Sequence, residues 1–148
     1  MFKKILFPVD LSDASSKVCP YVKEVAEKFD SEIHVIYVVH VTHYYANLDI
    51  SAAYIGNFET EIFKGAEHKF QEFVSSHFND RSVTTKILNG RPGDEIINYI
   101  KSESMDLVIM GHSSTGLERA IFGSVAGYLV KYSPVPVLVV SPDILKVK

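Results

Sequence analysis

Short, nearly continuous runs of apolar residues alternate along this chain with longer stretches in which apolar residues recur every three or four positions. The short runs are rich in β-branched residues, as are strands buried on both faces of a sheet, and the longer stretches have the period of amphipathic helices. One run, 82–88, alternates more and predicts a half-exposed strand at a sheet edge. The predicted strands are 5–7, 33–39, 82–88, 107–110 and 135–140.

Four helices are predicted between these strands. The first has Ser12 or Asp13 as its N-cap, and Pro20 is expected to bend this helix or to lie in its first turns. The last helix must end before Pro134. Because each amphipathic helix needs a sheet face on which to bury its apolar stripe, the alternation predicts an α/β fold with a parallel sheet and helices on both faces. The length predicts one domain over residues 1–148.

Residues 41–58 do not fit this alternation, because they show no clear period. Connections longer than about 12 to 15 residues are uncommon in compact domains and usually serve a function. The segment therefore predicts an irregular insertion or lid, which either folds over the ligand-binding rim of the sheet or takes part in an oligomer contact.

Composition narrows the class of protein. A hydrophobic fraction of 47% with 22% charged residues is typical of a folded globular protein, and a net charge of −3 argues against a nucleic-acid partner. The one cysteine excludes an internal disulfide, and no apolar run approaches the roughly 20 residues of a membrane span. We expect a cytoplasmic protein that binds neither nucleic acid nor membranes.

Candidate chemistry collects at the carboxyl ends of the predicted strands, where open α/β sheets bind ligands. Asp10 follows the first strand, the glycine-bearing loop 111–116 follows the fourth, and Gly123-Ser124 is expected to open the last helix. Glycines let a backbone approach an anion closely, and the N–H groups at a helix start favour negative charge. This combination suits a nucleotide. The alternatives are a plain tight turn for the loop and a helix-capping role for Asp10.

Patterns for catalysis and metal binding are missing from the sequence. No histidine pair at the spacing of a metal-binding helix and no Cys-x-x-Cys occur, and the Walker lysine motif is absent. His112 lies inside the loop and could donate a hydrogen bond to a phosphate. The sequence thus assigns no catalytic residue and no metal ligand, and allows at most a slow ATPase.

Several stretches resemble the universal stress protein (UspA-like) family: FPVDLSD after the first strand, the turn NGRPG, and above all VIMGHSSTGLERAIFGSVAGYLVKYSPVPVLVV. The resemblance implies a Rossmann-like fold of the adenine nucleotide alpha hydrolase type, with five parallel strands in the order 3-2-1-4-5. It also implies a regulatory role in the stress response and a homodimer joined through the last strand, Val135 to Val140. Some members of this family bind ATP, and others lack the phosphate motif and do not.

The phosphate motif of the binding members, Gly-x2-Gly-x9-Gly-Ser/Thr, is matched in part. Gly111 and Gly123-Ser124 correspond to its ends, but the loop is one residue shorter, and Ser113 or Ser114 stands where the middle glycine belongs. Serine keeps its backbone N–H and adds a hydroxyl donor, so these residues are expected to hold the phosphates. The alternative is a dimeric interaction protein of the same fold that binds no nucleotide.

The resemblance also implies roles at the adenosine end of the ligand, which would be ATP or a related adenine nucleotide, with or without Mg²⁺. Asp10 would accept hydrogen bonds from the ribose hydroxyls, and Val38 would pack against the base. For Val38, Met110 and Val125 a plain core position is the alternative. The full set of expected nucleotide-binding residues is Pro8, Val9, Asp10, Val38, Met110, Gly111, His112, Ser113, Ser114, Gly116, Gly123, Ser124 and Val125.

Overall fold

The computed structural model describes the backbone of residues 1–40, 52–112 and 116–141, and the side chains of residues 1–40, 59–112 and 124–141. Strands and helices alternate along the chain as predicted. The strands are β1 (Lys4–Val9), β2 (Glu32–Val39), β3 (Thr84–Asn89), β4 (Leu107–Gly111) and β5 (Val137–Val140). The helices are α1 (Asp13–Phe29), α2 (Ala52–His77), α3 (Pro92–Ser102) and α4 (Gly116–Tyr132).

All strand pairs are parallel, and the sheet has the order β3-β2-β1-β4-β5. This confirms the predicted fold class, including the strand order that the family resemblance implies. Because β1 leads to β2 on one side and β4 lies on its other side, the direction of winding reverses between β1 and β4. The last helix ends at Tyr132, as the position of Pro134 predicts.

Each face of the sheet carries its own apolar core. Successive side chains of a strand point to opposite faces, so Phe7 packs in one core and Leu6 in the other. The first core includes residues of α1 and α2, such as Val18 and Phe70, and the second includes residues of α3 and α4, such as Ile96. Ala14 and Val18 lie close to Gly111, so the first turns of α1 pack against the carboxyl end of β4.

Helix α1 begins after Ser12, one of the two predicted N-cap residues. The Ser12 hydroxyl does not cap the helix and instead donates to Asp10. Pro20 lies inside the helix, which continues through it to Phe29. Cys19 is 3% exposed, and its Sγ lies 3.4 Å from the Ser15 carbonyl oxygen. Burial raises the pKa of the Cys19 thiol to about 12, so this thiol is a packing group.

The prediction of an irregular segment over residues 41–58 is wrong for residues 52–58, because α2 begins at Ala52. The apolar spacing that marks α2 continues backwards from Ile62 through Phe58 to Ile55, at helical intervals of four and three residues. Two alanines, both strong helix formers, precede this spacing. The expected lid or oligomer contact of residues 41–51 lies outside the described residues. Within the described part of the chain, no helix has the length and apolar character needed to span a bilayer.

Candidate functional site

The registered pairing of β1 with β4 stops before the carboxyl ends of the two strands, and the region beyond it is called the β1–β4 crevice. Registered pairs between these two strands are Ile5–Leu107 and Leu6–Val108, whereas β1 pairs with β2 as far as Val9. Strand β4 likewise pairs with β5 as far as Gly111. The β1–β4 ladder therefore ends at Leu6 and Val108, before either strand ends. Such a reversal point is where open α/β sheets bind ligands.

Pro8 and Val9 end β1, beyond its last registered pair with β4. Pro8 is buried and has no backbone N–H, so it has nothing to donate across the gap towards β4. Val9 is 5% exposed and belongs to the core that α1 covers. The sequence thus places a residue that cannot extend a sheet ladder just beyond the last registered pair of β1 and β4.

Asp10 stands exposed at the mouth of the crevice, and three hydrogen bonds converge on its Oδ1. The donors are the Ser12 N–H at 3.0 Å, the Ser12 hydroxyl at 2.5 Å and the Ser15 hydroxyl at 2.8 Å. The Asp10 N–H donates in turn to the Ser15 hydroxyl oxygen at 3.1 Å. Since all three donors use Oδ1, the second carboxylate oxygen retains accepting capacity for a ligand hydroxyl.

The turn that follows Asp10 is strained. Leu11 has a φ of 65°, a left-handed conformation that is uncommon for a residue with a branched side chain. Backbone strain of this kind costs on the order of 1–3 kcal/mol and persists only where the surrounding structure enforces it. Leu11 packs against the core under α1, and the hydrogen bonds of Asp10 hold the other side of the turn.

Gly111 is the last residue of β4, and it is buried. A Cβ added at Gly111 would lie 2.7 Å from Val18 Cγ2 and 3.4 Å from the Val140 carbonyl oxygen. The glycine therefore permits α1 to approach β4 closely, which is a packing requirement as well as a feature of the expected phosphate loop. The His112 N–H donates to the Val140 carbonyl at 3.4 Å and so belongs to the β5 side of the sheet.

The expectation that Gly123-Ser124 opens the last helix is wrong. Helix α4 begins at Gly116, so Gly123 and Ser124 lie inside it. The intervening sequence LERAIF contains mostly good helix formers and no proline, which lets the helix start earlier. Backbone N–H groups inside a helix bond to carbonyls four residues earlier, so the N–H groups available to an anion are those at Gly116 and the positions after it. Ser124 is exposed and takes part in a further interaction.

Three predicted ligand-flanking residues share one apolar cluster. Val38, Met110 and Val125 all belong to the core on the face covered by α3 and α4. Met110 is fully buried, at 0% exposure, whereas Val38 and Val125 are half-buried. The structure thus brings the three residues together in one cluster, in which Met110 is the most deeply buried of the three. Their contact with a nucleotide stays a prediction, and Ser113 and Ser114 lie outside the described residues.

A cavity of about 330 Å³ lies between α2 and the edge strand β3. Phe63 and Phe70 line it from the helix, and Lys86 and Ile87 line it from the strand. Strand β2 lies between this cavity and the β1–β4 crevice. A binding experiment must therefore distinguish a ligand in the cavity from a ligand in the crevice. Among the described residues, no group of three or more His, Cys, Asp or Glu side chains is arranged to hold a metal ion.

Two serines of the site were not among the predicted residues. Among the described residues, Ser12 and Ser15 supply the donors to Asp10 Oδ1, and Ser15 is 1% exposed. The spacing Asp-x-Ser-x-x-Ser at the start of α1 carries a signal, because hydroxyls in the first turn of a helix can bond to the chain that precedes it. From the sequence alone this spacing indicates ordinary helix capping. The structure shows that the Asp10 carboxylate accepts the hydrogen bonds.

A doubly wound parallel sheet that reverses between β1 and β4, with a carboxylate at the mouth of the resulting crevice, defines a Rossmann-like α/β domain. A sequence model of the universal stress protein family matches residues 1–141. The chain belongs to the universal stress protein family.

Its similarity to individual relatives extends over nearly the whole chain. Universal stress protein MJ0531 of Methanocaldococcus jannaschii is 33% identical over 145 residues, covering 95% of this chain and 82% of the relative. The solved structure of MJ0577, from the same organism, has a TM-score of 0.77 at 26% identity, over 95% of this chain and 96% of that one.

Two more distant solved structures share the fold. One is a universal stress protein in complex with cAMP, with a TM-score of 0.63 at 15% identity, over 95% of this chain and 98% of that one. The other is the Arabidopsis thaliana protein At3g01520 with AMP bound, with a TM-score of 0.66 at 16% identity, over 99% of this chain and 95% of that one.

Proposed function

We propose that this protein binds an adenine nucleotide, ATP or a related compound, in the β1–β4 crevice and acts as a nucleotide-dependent regulator in the stress response. The observation that carries the proposal is the end of the β1–β4 ladder at Leu6, short of the carboxyl ends of both strands, with the Asp10 carboxylate held directly after β1. The crevice would take the adenosine, with Asp10 accepting hydrogen bonds from the ribose hydroxyls. Members of the same fold with AMP and cAMP bound support the choice of an adenine ligand.

The phosphates would extend over the end of β4 towards the start of α4. Gly116 and the positions after it offer the unpaired N–H groups of a helix N-terminus, which favour an anion. The hydroxyl-rich stretch 113–115 lies between this helix start and His112 in the sequence. Since the described residues include no cluster of metal-binding side chains, any Mg²⁺ would be carried mainly by the phosphates of the ligand.

Regulation would work through linkage in a cytoplasmic homodimer. Strand β5 lies at the edge of the sheet, and Leu138 on it is 41% exposed, which supports pairing of two copies through the last strand. A nucleotide that binds one state of the dimer more tightly shifts the population towards that state, and no turnover is required.

A second candidate function is a dimeric interaction protein that binds no nucleotide. The packing at the end of β4 favours this function. Gly111 packs closely against Val18, and the His112 N–H donates to the Val140 carbonyl of β5. In that case the edge strand β5 alone would carry the function.

Thermal unfolding with added nucleotides tests the two functions against each other. Saturating ATP, ADP, AMP or cAMP at 100 times the dissociation constant should stabilise the protein by about 2.7 kcal/mol. For a chain of this length, each kcal/mol of stabilisation raises the Tm by roughly 2–4 °C. GTP at the same concentration controls for recognition of the adenine base, because it differs from ATP in the base alone. An unchanged Tm with all four adenine nucleotides, in a protein that remains dimeric, would contradict nucleotide binding and favour the second function.

A further inference from the structure

Ser15 connects the first turn of α1 to the backbone and to the side chain of Asp10. It is 1% exposed, and its hydroxyl donates to Asp10 Oδ1 at 2.8 Å. The same hydroxyl oxygen accepts the Asp10 N–H at 3.1 Å. A serine hydroxyl has one hydrogen to donate and lone pairs to accept with, so both contacts can exist at once.

These two contacts define the conformation of Asp10 at both of its ends. The contact with the N–H fixes the backbone where β1 leaves the sheet, and the contact with Oδ1 fixes the rotation of the carboxylate. Ser12 adds two donors to the same oxygen, but it is only half-buried, so water competes for its hydroxyl. Ser15 is the member of this network that lies within the core.

The position of Ser15 also couples Asp10 to β4. Ala14 and Val18, on either side of Ser15 in α1, contribute the atoms that approach Gly111, at 3.5 Å for the Ala14 carbonyl oxygen and 2.7 Å for Val18 Cγ2. The helix turn that orients Asp10 therefore rests against the opposite wall of the crevice. The strained Leu11 lies between Asp10 and this turn.

We propose that Ser15 is a positioning residue for ribose recognition: it holds Asp10 with Oδ1 occupied and Oδ2 presented to the vicinal hydroxyls of the sugar. The proposal rests on the proposed function, since it assigns Asp10 to the ribose of a bound adenine nucleotide. Its specific consequence is that Ser15 sets the preference for ribonucleotides over nucleotides that lack the sugar hydroxyls.

Titration calorimetry with ATP and with 2′,3′-dideoxy-ATP tests this consequence. The wild-type protein should prefer ATP, and Ser15→Ala should reduce that preference about tenfold, a ratio that corresponds to about 1.4 kcal/mol. The affinity for 2′,3′-dideoxy-ATP should stay unchanged, because this ligand makes no contact that depends on the Asp10 carboxylate. Ser16→Ala removes a hydroxyl from the next residue of the same helix turn and should change neither affinity.

The possible outcomes separate the two proposals. A wild-type preference that Ser15→Ala leaves intact would overturn the role of Ser15 alone, as would an equal loss of affinity for both ligands, which is the result of a merely structural role. A wild-type protein that binds neither ligand overturns both proposals. Ser15→Cys, which is close in size and a weak donor, replaces Ser15→Ala if that variant does not fold, with the same expected loss of preference.

Discussion

Gly111→Ala is expected to destabilise the protein by about 1–3 kcal/mol, the usual cost of adding a methyl group to a closely packed site. The new Cβ would lie 2.7 Å from Val18 Cγ2, which belongs to a β-branched side chain in a helix and has little freedom to move away. It would also lie 3.4 Å from the Val140 carbonyl oxygen, so displacement in the other direction disturbs the β4–β5 pairing. Urea denaturation of the wild type and the variant measures the effect.

Two further variants isolate the cause. Gly127→Ala places the same methyl group in α4, where the added Cβ meets none of the described atoms within 4 Å apart from its chain neighbours and the helix's own backbone. It should stabilise the protein by about 0.5–1 kcal/mol through helix propensity. Val18→Ala combined with Gly111→Ala should cost less than the sum of the two single changes, because the valine methyls no longer oppose the new Cβ. Strictly additive effects would show that the close approach of α1 to β4 is not the reason for the glycine.

Asp10→Ala is expected to lower the affinity for ATP by about ten- to hundredfold, the loss that follows when hydrogen bonds to a charged group are removed. The carboxylate at the mouth of the crevice is the described group best placed to accept the ribose hydroxyls, and Ser12 and Ser15 hold it in place. Calorimetric titration gives the affinity, and urea denaturation of the same samples reports any loss of stability.

The matched control is Asp13→Ala, which removes the same charge from the exposed first residue of α1, three positions further along the chain. It should leave the affinity within about twofold, because exposed charges are strongly screened by water and salt. If Asp13→Ala weakens ATP binding as much as Asp10→Ala does, the effect is one of net charge, and Asp10 has no direct part in binding.

The fold could be predicted because its signals are local. The apolar run at 33–39 and the helical spacing of Val18 and Val22 are visible within a few residues, and alternation of such segments permits few architectures. The start of α2 was placed too late because residues 52–58 were grouped with the aperiodic stretch before them, although the spacing from Ile62 extends back to Ile55. The start of α4 was misplaced because Gly123-Ser124 looks like a helix opening, whereas the residues before it are good helix formers.

The site could be predicted only in part, because its contacts join residues far apart in the sequence. Asp10 was found from its place after β1, and the structure adds that Ser15 holds it from a core position. The contact between Gly111 and Val18 spans 93 residues, so no local pattern separates a packing glycine from a phosphate-loop glycine. The early end of the β1–β4 ladder depends on strand register, which the apolar pattern alone does not specify.

The central claim is the location of the nucleotide, and the most direct measurement is a titration of ¹⁵N-labelled protein with ATP, followed by amide chemical shifts. Binding in the crevice predicts that the largest changes fall on residues 9–12, 38 and 110–112, at the carboxyl ends of β1, β2 and β4. Changes concentrated on Phe63, Lys86 and Ile87 would instead place the ligand in the cavity between α2 and β3. That result, or an unchanged spectrum at millimolar ATP, would contradict the account.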